Sequence, residues 1–121
     1  MPRAKGGPKT RRRHKKTMKQ AKGYVGGGRK TYRQARETVE RGLTYAYRDR
    51  KARKRDFRSL WIARINAGAR KHGLSYSRLI AGLRAAGVEV DRKILAALAF
   101  DDPETFGEIA GLARAGAAAT A

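Results

Sequence analysis

Apolar residues recur at spacings of three and four along two stretches of this chain. Tyr32, Ala35, Val39, Leu43 and Tyr47 form one stripe; Phe57, Leu60, Trp61, Ile65 and Ala69 form another. Such spacing puts each set on one side of a helix. No proline interrupts residues 32–71, and the Ala, Arg, Lys, Leu and Ile that fill them suit a helix. The pattern therefore predicts one helix from Tyr32 to Lys71, with Thr31 as its cap and a bend at Gly42. Glu37–Arg41 and Asp49–Arg53 are acid-to-base pairs four residues apart, a spacing that supports helix. At ~1.5 Å per residue the helix is about 60 Å long, so much of it must project from a domain this small.

After the second stripe, His72-Gly73 stops the helix, and Ser75 or Ser77 starts the next one. That helix buries Leu79, Ile80, Leu83 and Ala86 and closes at Gly87. Val88-Glu89-Val90 reads as a short extended link. Asp91 caps a helix over Arg92–Phe100 that turns Ile94, Leu95, Leu98 and Ala99 inward. Asp102-Pro103, a cap followed by proline in the first turn, opens a last helix through Phe106, Ile109, Ala110 and Leu112. Trp61 falls on the stripe and is assigned to the core. The Ala/Gly-rich tail Ala113–Ala121 is expected to fray.

Before Tyr32 the pattern is different. Residues 1–22 hold ten cations and no acid, and their apolar content from Thr10 to Lys22 is Met18 and Ala21. Pro2, Gly6, Gly7 and Pro8 work against regular structure at the start. A segment this poor in apolar surface does not offset its own ordering entropy, so it reads as an arm that orders on a partner. Gly23 to Lys30, with three consecutive glycines, is the strongest break in the chain. It reads as a hinge or as a point where backbone approaches phosphate.

Charge sharpens this division. The 121 residues carry a net +20, but residues 1–71 hold 25 Lys and Arg against four acids, while residues 72–121 hold five against six. A compact body with so much positive charge repels itself, so the first part is built to lie beside a polyanion. The expected organisation is a basic extension over residues 1–55 and a small helical domain over residues 56–121. The fold class is all-α: a long basic N-terminal helical extension followed by a small globular C-terminal helical domain.

Other chemistries lack their parts. Without cysteine there is no disulfide, thiolate metal site or thiol nucleophile. His14 and His72 are far apart, and Ser59, Ser75 and Ser77 have no evident histidine–acid partner. Asp101 and Asp102 are neighbours that do not face each other on a helix. No enzyme, metal site, cofactor or small-molecule substrate is expected. Nothing resembles a signal peptide or a membrane span, and residues 48–58 lack the broad apolar face of a membrane-surface helix, so the expected place is the cytoplasm, with no membrane partner.

Nucleic acid suits the residues that are present. Lys and Arg supply phosphate contacts, and Arg adds bidentate and stacking geometry. The expected contacts on the arm are Arg3, Lys5, Arg11, Arg12, Arg13, His14, Lys15, Lys16, Lys19 and Lys22. Around the glycine break they are Gly23, Tyr24, Arg29, Lys30, Tyr32 and Arg33. On the long helix they are Arg48, Arg50, Lys51, Arg53, Lys54, Arg55 and Arg58. Tyr24, Tyr32, Tyr45 and Tyr47 lie among these cations, where rings can stack on exposed bases or pack helix against helix.

Several longer words are also familiar: Arg13-His14-Lys15-Lys16, Ala21-Lys22-Gly23-Tyr24, Tyr45-Ala46-Tyr47-Arg48-Asp49-Arg50, Lys54 through Ala67, His72 through Ser77, and Val90 through Ala96. In this order they resemble the bacterial large-subunit ribosomal protein L20 family, from the N-terminus to about Ala113. Lys54 through Ala67 is the most specific of them. The resemblance implies a basic extension threaded into large-subunit (23S) ribosomal RNA and a small helical domain lying on that RNA. It implies a structural, ribosome-bound role in early large-subunit assembly, beside neighbouring large-subunit proteins and outside peptide synthesis itself. For some members it implies binding and repression of their own messenger, so a free RNA-binding repressor is the alternative. Two positions depart from the family's pattern. Val25 stands where an aromatic is usual, and Gly27-Gly28 replace bulkier residues.

Overall fold

A computed structural model describes Arg3 and residues 5–119. Among the described residues there are six helices and no strand: α1 (Gly7–Gln20), α2 (Gly27–Lys30), α3 (Tyr32–Lys71), α4 (Tyr76–Ala85), α5 (Arg92–Asp101) and α6 (Pro103–Ala119). The chain divides into two compact units, residues 1–51 and 52–121, with α3 contributing to both.

The first unit is α1, a turn, the four-residue α2 and the start of α3. Its core is small: Ala21, Ala35 and Val39 are buried, and Met18 packs against them. α1 begins at Gly7, earlier than the sequence pattern allows. Pro8 explains why, because its missing N–H costs nothing in a first turn and its fixed φ already suits a helix. The glycine segment is likewise more ordered than a bare hinge. Gly23 and Gly26 take φ of 91° and 57°, which turn the backbone at each end of the segment, and Gly27–Lys30 coil into a single helical turn. Thr31 then leads into α3, its carbonyl accepting from Ala35 N at 2.8 Å.

α3 is helical through Gly42, and a different property of that glycine matters. A Cβ there would come 2.9 Å from the Tyr24 hydroxyl, so the missing side chain seats that ring. The ion pairs also differ from those the spacing predicts. Among the described residues the pairs are Arg36–Glu40 and Arg48–Asp49, both at 2.8 Å, in place of Glu37–Arg41 and Asp49–Arg53. On an exposed helix face each acid has several cations in reach, and spacing alone does not select among them.

The second unit carries the main core. Ile65 and Ala69 of α3, Leu79 and Leu83 of α4, Leu95 and Ala96 of α5, and Phe106, Ala110 and Ala113 of α6 are buried together. α6 packs on both α4 and α5. Its approach to α4 is close enough to require Gly82, where a Cβ would stand 2.7 Å from the Ala113 carbonyl carbon. For the same reason the Ala/Gly tail does not fray where the sequence predicts it: Ala113 is core and Gly116 is buried against α4. Thr120 and Ala121 lie outside the described residues.

Several residues of the predicted stripes face outward. Phe57 and Leu60 are each 42 % exposed, and Trp61 lies half-buried on the rim of the core. Ile94 and Leu112 are exposed as well. A periodic stripe marks a side of a helix, but only the neighbouring helix determines how far along it the cover extends.

Helix ends follow local chemistry closely. Ser75 accepts from Arg78 N at the start of α4, and Gly73 and Gly87 take positive φ where α3 and α4 stop. Asp91 precedes α5 but makes no side-chain cap bond. Asp102 accepts from both Thr105 N and Thr105 Oγ1, at 3.1 and 2.6 Å. These bonds, the hydroxyl's first, hold the Asp102 carboxyl below its ordinary value. A depressed folded pKa stabilises the protein above the unfolded carboxylate value, ~3.9. That contribution is lost as pH falls through the lower folded value. Asp102→Ala should therefore lower the melting temperature at neutral pH, and the deficit should begin to shrink as pH falls below the unfolded carboxylate value, ~3.9. Melting curves from pH 7 to 3 check this; an equal effect at both ends would show that the carboxylate is not what caps α6.

Candidate nucleic-acid interface

Every cation named from the sequence as an RNA contact is exposed: those of the arm, those around the glycine break and those on α3. The structure gives a physical reason. Of the 18 Lys and Arg in residues 1–51, only Arg36 and Arg48 pair with a carboxylate among the described residues. Both those pairs are solvent-exposed, and exposed pairs stabilise a fold little. Arg48 holds the Asp49 carboxyl below its usual range through their hydrogen bond. Among the described residues the rest of this charge has no carboxylate partner.

The aromatic rings are not all free to receive bases. His14 and Tyr32 stack on each other, with centroids 3.6 Å apart and planes 19° from parallel. They join α1 to α3 across a cleft whose rim includes Arg13, Lys16 and Arg36. Tyr24 is more than a third exposed and lies over Gly42, beside Arg41 and Tyr45. On α3, Arg48 sits 4.6 Å from the Tyr45 centroid and Lys51 sits 4.4 Å from that of Tyr47. Lys51 Nζ also donates to the Tyr47 hydroxyl at 2.7 Å. Arg36 and Arg41 border these clefts and are absent from the sequence-based set. Their one available signal is membership of the basic first part of α3.

The second unit has its own exposed cation–ring contacts. Arg53 lies 5.5 Å from the Phe57 centroid, and Phe57 meets Trp61 at 6.1 Å. Arg64 lies 5.4 Å from the centroid of Phe100, which is 72 % exposed. Neither Arg64 nor Phe100 is legible as a site from sequence, because α3 and α5 bring them together only in the fold. Among the described residues no helix is long and apolar enough to cross a membrane.

Comparison with known sequences gives this basic, all-helical chain a family. The family model described as Ribosomal protein L20 matches residues 3–109. This chain belongs to the ribosomal protein L20 family. It is 61 % identical to the large ribosomal subunit protein bL20 of Geotalea uraniireducens over 115 residues, 95 % of this chain and 98 % of that protein. It is 60 % identical to the Geobacter metallireducens protein of that name, covering 94 % and 97 %. The Pelotomaculum thermopropionicum protein of the same name is 57 % identical, covering 95 % and 98 %. Membership of the L20 family makes this a ribosomal structural protein and not an enzyme. The family match stops within α6, before Ala110, Ala113 and Gly116, which complete its packing on α4 and α5.

Proposed function

We propose that the chain is a structural component of the large ribosomal subunit, bound in the cytoplasm to its 23S ribosomal RNA and needed early in subunit assembly. Residues 1–55 supply the RNA-threading extension, and residues 56–121 supply a small helical body that lies on the RNA. The observation that carries this reading is the exposed and almost unpaired charge of residues 1–51, 18 cations against three acids. Without a polyanion that charge opposes the compact state; against RNA phosphate it is neutralised, and counterions are released. The small core under α1 fits the same reading, because four apolar side chains hold the arm only lightly and leave it able to rearrange on RNA. The names of the relatives support assembly into the large subunit and contact with its other proteins.

The test is sedimentation. A tagged full-length chain, expressed in a bacterium lacking its own copy, should travel with large subunits through a high-salt wash. A version lacking residues 1–22 should be largely lost from them, and precursor particles should accumulate. A full-length chain that washes into the supernatant and is recovered on its own messenger would reverse the reading in favour of a free repressor.

A further inference from the structure

A second binding feature lies in the other unit, away from the cations of residues 1–51. α3 and α5 enclose a cleft of about 360 Å³, within the usual ~300–1,000 Å³ of ligand pockets. Ala96 and Ala97 of α5 contribute its small side chains. Trp61 of α3 and Phe100 of α5 both line it. Arg64 and Lys93 stand at the rim with Asp101. Two aromatic side chains thus share one cleft with two small residues and two cations, and the core of this unit does not need Phe100, which is 72 % exposed.

A surface phenylalanine under a guanidinium costs hydration and contributes little to folding. Its arrangement suits a flat, electron-rich ligand that carries a negative group. An RNA nucleotide has both parts: a base to stack on the ring, and a phosphate for Arg64 and Lys93. The carboxylate of Asp101 is an acceptor at the same rim, and it suits the amino edge of a base while disfavouring phosphate on its own side. A duplex does not suit the cleft, because its bases are already stacked and paired. We propose that this cleft holds one unpaired base of the bound RNA, stacked on Phe100 in the cleft that Trp61 also lines, with its phosphate on Arg64 and Lys93. This rests on the RNA-binding reading above and adds to it a single-nucleotide site in residues 52–121.

The probe is a pair of short RNA hairpins: one carries a single unpaired 2-aminopurine, and the other has that position base-paired. With the full-length chain, the unpaired form should bind about tenfold tighter and lose fluorescence on binding, as a base stacked on an aromatic ring does. Phe100→Ala should erase the preference to within about twofold and restore the fluorescence, while the paired hairpin binds as before. Phe100→Tyr should keep both effects. The exposure of Phe100 means these variants fold, which melting curves verify. Equal binding of the two hairpins by the unaltered chain, or a preference that survives Phe100→Ala, overturns the site and leaves general RNA binding standing. If neither hairpin binds at low salt, the RNA-binding reading fails and takes this site with it.

Discussion

Raising the salt from 50 to 200 mM should weaken binding of this chain to ribosomal RNA by about a thousandfold if only six phosphates are neutralised, by the relation that holds for duplexes. The reason is in the structure as much as in the count. Among residues 1–51 the cations are exposed, and all but two lack a carboxylate partner among the described residues. Internal ion pairs would already have released the counterions that RNA binding must displace, and the salt slope would then be shallow. Here nearly the whole charge is available. Each cation removed from the arm should reduce the slope of log K against log salt by a similar small step and weaken all structured RNAs alike, because phosphate contacts carry no sequence information. A nearly flat plot would show that base or shape recognition supplies most of the affinity. Binding titrations of the full-length chain with a fixed RNA fragment over that salt range decide the matter.

Phe106→Ala should cost about 3–5 kcal/mol, the usual loss for a buried aromatic truncated in a packed core. Phe106 is the largest of the fully buried side chains, and it sits on α6 where α3, α5 and the His72 ring converge on it: its centroid is 6.1 Å from that of His72. A ring carbon of Phe106 would also lie 3.0 Å from a Cβ placed on Gly68, so α3 closes on it without a gap. A unit of about 70 residues has a stability of only about 4–10 kcal/mol. The substitution therefore removes a large share of it, and much of the population should be unfolded near body temperature. Trp61→Ala should cost clearly less, since that ring is on the rim of the same core and only partly buried. Denaturant melts of the two variants in parallel test the order. If Trp61→Ala proves the more damaging, the core is centred on α3 and not on α6.

That contrast shows where sequence reading reached its limit. Period-three-and-four spacing identified α3, α4, α5 and α6, and the local chemistry of Ser75, Gly73, Gly87 and Asp102 placed their ends, because caps and left-handed glycines act within a few residues. The basic interface was legible for a similar reason: clustered charge is a property of composition. Which residue of a stripe is buried deepest was not legible. Phe57 and Leu60 have the spacing of core residues but lie beyond the cover of α4, α5 and α6, whereas Ala113 and Gly116 look like a loose tail and are packed.

The sequence by itself determined the all-helical class, the division between a polycationic part and a nearly neutral one, and the membership of the L20 family carried by words such as Lys54 through Ala67. Those depend on local periodicity, composition and residue order. The tertiary structure decided that α1 docks on α3 through Met18, Ala21, Ala35 and Val39, and that His14 and Tyr32 stack on each other. It also decided that Phe106 rather than Trp61 centres the core, and that Arg64, Lys93 and Phe100 surround one cleft. Each of these joins residues far apart in the chain. Local rules of helix formation do not reach across such separations, and only the packing of one helix surface on another settles them.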